Sequence, residues 1–291
     1  MHNPNFNDKM IRASPWEIDE KMSVLYTNAN IQIREVWRNN LEKEFGLIRG
    51  IVDTHPYIAM DTEFPGVVVA LLRDFGNNIL EKTYHNLRAN VNLLKLIQLG
   101  LTFSDEEGTL PKSKTGKYCV WQFNFREFNP NVDICAQDSI DLLRRSGIDL
   151  EKNNAEGVDV KRFAQLMRSS GIVSNDSFHW VTFHGGYDVG YLLRLLTGLD
   201  LPETREEFLE LVQAFFPNIY DVKDLMRFGE NLRGGLNKLA LKLRVERVGR
   251  SHQAGSDSLL TSCTFFKLKR DVFNGSVERR AGVLYGLHFQ N

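Results

Sequence analysis

Asp61 and Glu63 stand one residue apart at the end of the apolar run 57–64, YIAMDTEF. Side chains on a β-strand alternate between faces, so this spacing puts both carboxylates on one side. Two adjacent anions repel each other unless a cation lies between them. A divalent metal ion is the simplest candidate, and metal-assisted hydrolysis or phosphoryl transfer follows from it. FHGGYDVGYLLRLL adds Asp188, just after Gly185-Gly186 on the first turns of a predicted helix. SHQAGSDSLLTSCTFF adds Asp257 at the start of a late helix, with His252 five residues before it. A helix N-terminus favours negative charge, and histidine exchanges protons near neutral pH. Singly, each residue reads as a cap, a solvated edge or a structural histidine. Their combination and order point to one oxygen-rich pocket, and oxygen ligands select Mg²⁺ or Mn²⁺ over Zn²⁺.

The elements that must carry these residues alternate between strand and helix. Apolar spacing predicts a helix from residue 30 through Ile33, Val36 or Trp37, Leu41, Phe45 and Ile48, capped by Asn28 or Asn30 and stopped at His55-Pro56. A strand over 57–63 follows. Pro65-Gly66 then turns the chain into a second, antiparallel strand over 67–72, and Gly76-Asn77-Asn78 is a loop. A helix is expected over 83–96, and strands over 98–103 and 118–125 flank a polar hairpin tip. Further helices are expected over 136–146, 160–170, 186–196, 203–215, from 235 to before Gly249, and 254–273. Short strands lie at 180–183 and 219–222. The alternation predicts an α/β fold with a mixed sheet flanked by helices. Residues 1–29 read as a loose arm, 30–287 as one domain and 288–291 as a tail.

The composition, 42% hydrophobic and 25% charged over 291 residues, is enough for a sizeable core. No apolar run approaches the ~20 residues of a membrane span, and the N-terminal residues lack the basic-then-apolar pattern of a secretory signal. Cys119, Cys135 and Cys263 are odd in number and in no CxxC arrangement. This argues against a disulfide framework or zinc site and for a reducing compartment. A net charge of −1 weakens non-specific nucleic-acid binding. It leaves room for a metal-dependent enzyme, because bound cations supply the positive charge.

The ordered set Asp61, Glu63, Asp188, His252 and Asp257 resembles the four-acid exonucleases in their histidine subgroup. AMDTEFPG, LLKLIQLGLTF, WQFNF, AQDSIDLL, FHGGYDVGYLL, FFPNIYDVK, GGLNKLA and HQAGSDSLLT resemble the carbon catabolite repressor 4-associated factor (CAF, Pop-type) deadenylases over nearly the whole chain. That family commonly has Ser at Gly185, Phe at Val189 and an Arg-Pro pair soon after EFPG; the acids and the histidine are all retained. The resemblance implies a ribonuclease H-like domain and two divalent metal ions, Mg²⁺ or Mn²⁺. Asp61 would bridge the ions, Glu63 and Asp188 would complete one site, Asp257 would hold the other, and His252 would be the general base. It implies 3′-to-5′ removal of 5′-AMP from mRNA poly(A) tails. It also implies docking on the scaffold of the CCR–NOT complex beside a second deadenylase, in cytoplasm and nucleus. Phe64 is a candidate to stack on the terminal base, or else part of the core. His184 is a candidate to support Asp188. Adenine preference rests on the resemblance alone. The alternatives are a related exonuclease with another nucleic-acid substrate, a weakly active scaffold subunit, or, lacking a matching Thr/Lys set, a phosphatase with Asp61 as nucleophile.

Overall fold

The computed structural model describes residues 26–70 and 78–288. Six strands form one mixed sheet: β1 (Ile31–Val36), β2 (Tyr57–Glu63), β3 (Gln98–Ser104), β4 (Tyr118–Asn124), β5 (His179–Thr182) and β6 (Asn218–Asp221). Their spatial order is β1-β4-β3-β2-β5-β6. The β2, β3 and β4 strands run antiparallel in turn, while β1 lies parallel to β4, and β5 and β6 continue parallel from β2.

The helices are α1 (Leu41–Arg49), α2 (Ile79–Leu93), α3 (Gln137–Arg145), α4 (Leu150–Glu156), α5 (Val160–Ser169), α6 (Gly186–Thr197), α7 (Arg205–Phe215), α8 (Val222–Leu225), α9 (Leu236–Leu243) and α10 (Ala254–Asp271). Ile58 and Met60 of β2 point into the larger core, with Phe45, Phe123, Phe163 and Trp180. Tyr57 and Ala59 point the other way, toward Phe265 and Phe266 of α10. Full burial of such side chains stabilises by about 1.5–3 kcal/mol each. Side-chain caps start several helices, most completely at α7, where Thr204 and Glu207 form a reciprocal capping box.

Three expected elements differ. The helix predicted from residue 30 is β1 followed by α1. Asn40 closes the turn between them, accepting from the Trp37 amide at 2.8 Å and donating to the Glu35 carbonyl at 3.0 Å. The Leu41, Phe45, Ile48 spacing is helical; its backward extension through Ile33 and Val36 joins residues on opposite faces of β1, Val36 in the larger core and Ile33 against Ile31 and Val120. Residues 67–70 form no strand, because β3 takes the edge of β2 where that strand would pair. The Asn90 side chain instead accepts from the Val68 and Val69 amides at 2.8 and 2.9 Å and donates to the Val69 carbonyl. The rest of that predicted strand, Leu71 and Leu72, and Gly76 and Asn77 of the predicted loop lie outside the described residues. So do residues 1–25 of the expected arm and 289–291 of the tail. The helix expected to end before Gly249 already stops at Leu243, where Arg244 takes the left-handed conformation. Helix α4, not anticipated, is capped by Asp149.

Candidate active site

Strand alternation puts Asp61 and Glu63 on the face shared by Tyr57 and Ala59, the face that α10 covers. Asp61 stands opposite Gly100 in the β2–β3 register. Gly100 is what lets α10 come down there: a Cβ at that position would lie 1.9 Å from the Ala254 carbonyl oxygen. The helix N-terminus therefore rests on the backbone of β3 beside Asp61, and its first turn delivers Asp257. The rings and carboxylates of Glu63, His252 and Asp257 each offer a ligand atom, all within 4.8 Å of one another. His252 is exposed and its backbone is left-handed at φ 60°. Its amide donates to Asp257 Oδ2 at 2.8 Å.

Asp188 arrives from the other core. It is buried on the first turn of α6, and its Oδ1 accepts from the Thr62 amide at 2.9 Å and the Thr62 hydroxyl at 2.5 Å. Thr62 is the residue between the two acids of β2, so Asp188 is tied to the strand that carries them. The turn into α6 is held by Asp221, a buried carboxylate at the end of β6. Asp221 accepts from the amides of His184 and Gly185 at 2.7 and 3.2 Å, and from those of Lys223 and Tyr285 at 2.9 and 3.0 Å. Gly185 must be small here, since a Cβ would lie 2.3 Å from the Thr182 side chain. His184 is exposed, with its ring edge-on to Tyr285 at 5.2 Å.

The electrostatics follow from this crowding. Burial first, and then the charges of Asp188, Asp257 and Glu63, push the Asp61 carboxyl well above the ordinary carboxylate range. Burial, Asp257 and Asp188 do the same to Glu63. Asp188 is pushed up to about 7, chiefly by burial and against the opposing Thr62 hydrogen bonds. Arg247 is the nearby cation that offsets the rise at Asp61 and Glu63. Its Nη2 donates to Asp257 Oδ1 at 2.6 Å, and Asn237 and Ser256 hold the rest of its guanidinium. Four acids gathered with one arginine leave an excess of negative charge, and their hard oxygen donors fit divalent cations of the Mg²⁺ or Mn²⁺ type.

The structure thus brings together Asp61, Glu63, Asp188, His252 and Asp257. Phe64 sits beside them, its ring stacked on Tyr187 at 5.2 Å and tilted against Tyr191 at 4.9 Å, packed against the larger core yet not fully covered. Sequence reasoning missed Arg247 and Asp221. An isolated arginine in a basic stretch carries no signal of its partner. FFPNIYDVK did mark Asp221, a lone acid after an apolar run, but three of its four amide partners come from segments far away in sequence.

Known proteins place this site in context. The model of the CAF1 family ribonuclease matches residues 36–170 and 161–265. The chain is 60% identical to the probable CCR4-associated factor 1 homolog 7 of Arabidopsis thaliana, over 93% of this chain and 98% of that protein. It is 44% identical to the poly(A) ribonuclease pop2 of Schizosaccharomyces pombe, over 88% of this chain and 75% of that one. The solved S. pombe Pop2p in its Mg²⁺- and Mn²⁺-bound form superposes with a TM-score of 0.83 at 44% identity, covering 89% of this chain and 100% of that one. Yeast CAF1 co-crystallized with the NOT1 MIF4G domain superposes at 0.73 and 33% identity, covering 90% and 99%. The fold is therefore that of the Pop2 and CAF1 nucleases, and the chain belongs to the CAF1 ribonuclease family.

Proposed function

We propose that the protein is a 3′-to-5′ exoribonuclease that shortens poly(A) tails and releases 5′-AMP. The observation that carries this is the meeting of Asp61, Glu63, Asp188 and Asp257, with His252 at the rim, in a chain of the CAF1 ribonuclease family. When bound, two Mg²⁺ or Mn²⁺ ions would supply an activated water and offset charge on the leaving 3′ oxygen. Asp61, Glu63, Asp188 and Asp257 are the carboxylates that would hold the ions, with Asp61 central among them. His252, exposed where water and RNA arrive, accepts the proton of the attacking water at a ring nitrogen. Arg247, donating to Asp257 Oδ1 at 2.6 Å, holds that carboxylate in orientation. Phe64 offers its remaining ring surface to the 3′-terminal base.

The likeness to yeast CAF1 seen with the NOT1 MIF4G domain supports docking on a scaffold of the CCR–NOT type, where this chain would work beside a second deadenylase. The test is digestion of 5′-labelled and 3′-labelled poly(A) with Mg²⁺, with Mn²⁺ and with chelator. A metal-dependent ladder shortening from the 3′ end is expected. Equal turnover of poly(A), poly(U) and single-stranded DNA would rule out tail specificity.

A further inference from the structure

Three amides lie buried where the start of β3 pairs with the end of β4: Gln98, Gln122 and Asn124, each no more than 3% exposed. Buried amides must be paired, and these are paired in one directed network. Gln122 Nε2 donates to Glu35 Oε1 at 2.9 Å, and Asn124 Nδ2 donates to Glu35 Oε2 at 2.7 Å. Asn124 Oδ1 in turn accepts from Gln98 Nε2 at 2.7 Å. A carboxylate only accepts, so Glu35 fixes which end of each amide faces it. The opposite ends are then oxygens, and both point the same way: Gln122 Oε1 accepts from the Gly255 amide at 2.8 Å and Gln98 Oε1 from the Ala254 amide at 3.4 Å. These are the first two amides of α10. Its N-cap residue, Gln253, supplies no side-chain cap and spends its own amide on the Ser146 carbonyl. The cap of the helix that carries Asp257 is thus built from the sheet.

We propose that Glu35, an exposed residue of β1, is a positioning residue for the acidic centre. Through Gln122 and the Asn124–Gln98 pair it aims two oxygens at the N-terminus of α10 and fixes where Asp257 stands. This rests on reading Asp257 as a metal-holding residue. Glu35→Gln is the isosteric test, because it replaces one of two acceptors with a donor and sets the network against itself. Three measurements are made on the full chain: hydrogen exchange of the peptide covering 253–258, Mn²⁺ binding by electron paramagnetic resonance without RNA, and kcat and KM on poly(A). In Glu35→Gln, exchange at 253–258 speeds up, Mn²⁺ affinity falls about tenfold, as for other residues that orient metal ligands, and kcat falls while KM holds. The double variant E35Q/Q122E moves the carboxylate one link along, restores every donor–acceptor match and slows the exchange again. Wild-type exchange in E35Q, or no recovery in the double variant, overturns the relay. Faster exchange with Mn²⁺ affinity within twofold of wild type overturns the positioning role. Asp257→Asn checks the metal reading separately: undiminished Mn²⁺ binding there sinks that reading and the role given to Glu35 with it.

Discussion

At the scale of single residues, variants of Asp61 and His252 test the proposed division between holding metal and moving the proton. Asp61→Asn removes one negative charge from a group already held well above its usual range by burial and by its acidic neighbours. Tail shortening should drop to background, while the metal-free protein becomes more stable, because the repulsion that the charge created is gone. A thermal melt without metal checks the second half; a lower midpoint would mean that Asp61 is stabilising in the empty centre. His252→Ala should lose about 10²–10⁴ in turnover, the usual worth of a general base, while retaining Mn²⁺ binding. The imidazole does lie within ligand distance of Glu63 and Asp257, so calorimetry is decisive: lost Mn²⁺ binding would make His252 a ligand and not the base. The four acids stood out in the sequence because acids near glycines or at the end of an apolar strand are unusual company, and His252 because it lies five residues before the last of them. Arg247 was not, since its meaning lies in a 2.6 Å contact with Asp257 that no local pattern announces.

At the scale of elements, the site depends on how closely α10 lies on β3. Gly100→Ala would put a methyl group 1.9 Å from the Ala254 carbonyl oxygen, and overpacking of this kind costs about 1–3 kcal/mol. Activity should suffer far more than stability, because lifting the helix moves Asp257 away from Asp61. Equal activity per folded molecule would show that the helix start can yield without disturbing the centre. The strands and helices that hold the acids were readable because turn glycines and prolines bracket clear apolar periods. The misread elements have separate physical causes. In residues 30–48 a strand and a helix adjoin with apolar spacings that happen to run in phase. Residues 67–70 look like a strand, yet the Asn90 side chain satisfies their backbone, and a single amide on a distant helix leaves no periodic trace.

At the scale of the whole molecule, the acidic centre couples stability to pH. Free carboxyls titrate near ~4, whereas those of Asp61, Glu63 and Asp188 are raised in the folded state, Asp188 to about 7. Across that window the folded chain binds more protons than the unfolded one, so raising the pH removes stability. The metal-free midpoint should fall between pH 5 and pH 8. Saturating Mn²⁺ should raise it most at pH 8, where the acids are free to bind; a pH-independent increment would count against these carboxylates as the binding groups. The contact of Ala254 with Gly100 also has a bearing on timing. Asp61 belongs to the early part of the chain and Asp257 to its last long helix, and contacts so distant in sequence form late. A chain whose last long helix has not yet docked therefore holds an incomplete set of acids. On refolding, nuclease activity should return with the slowest phase, making it a report that the chain has finished.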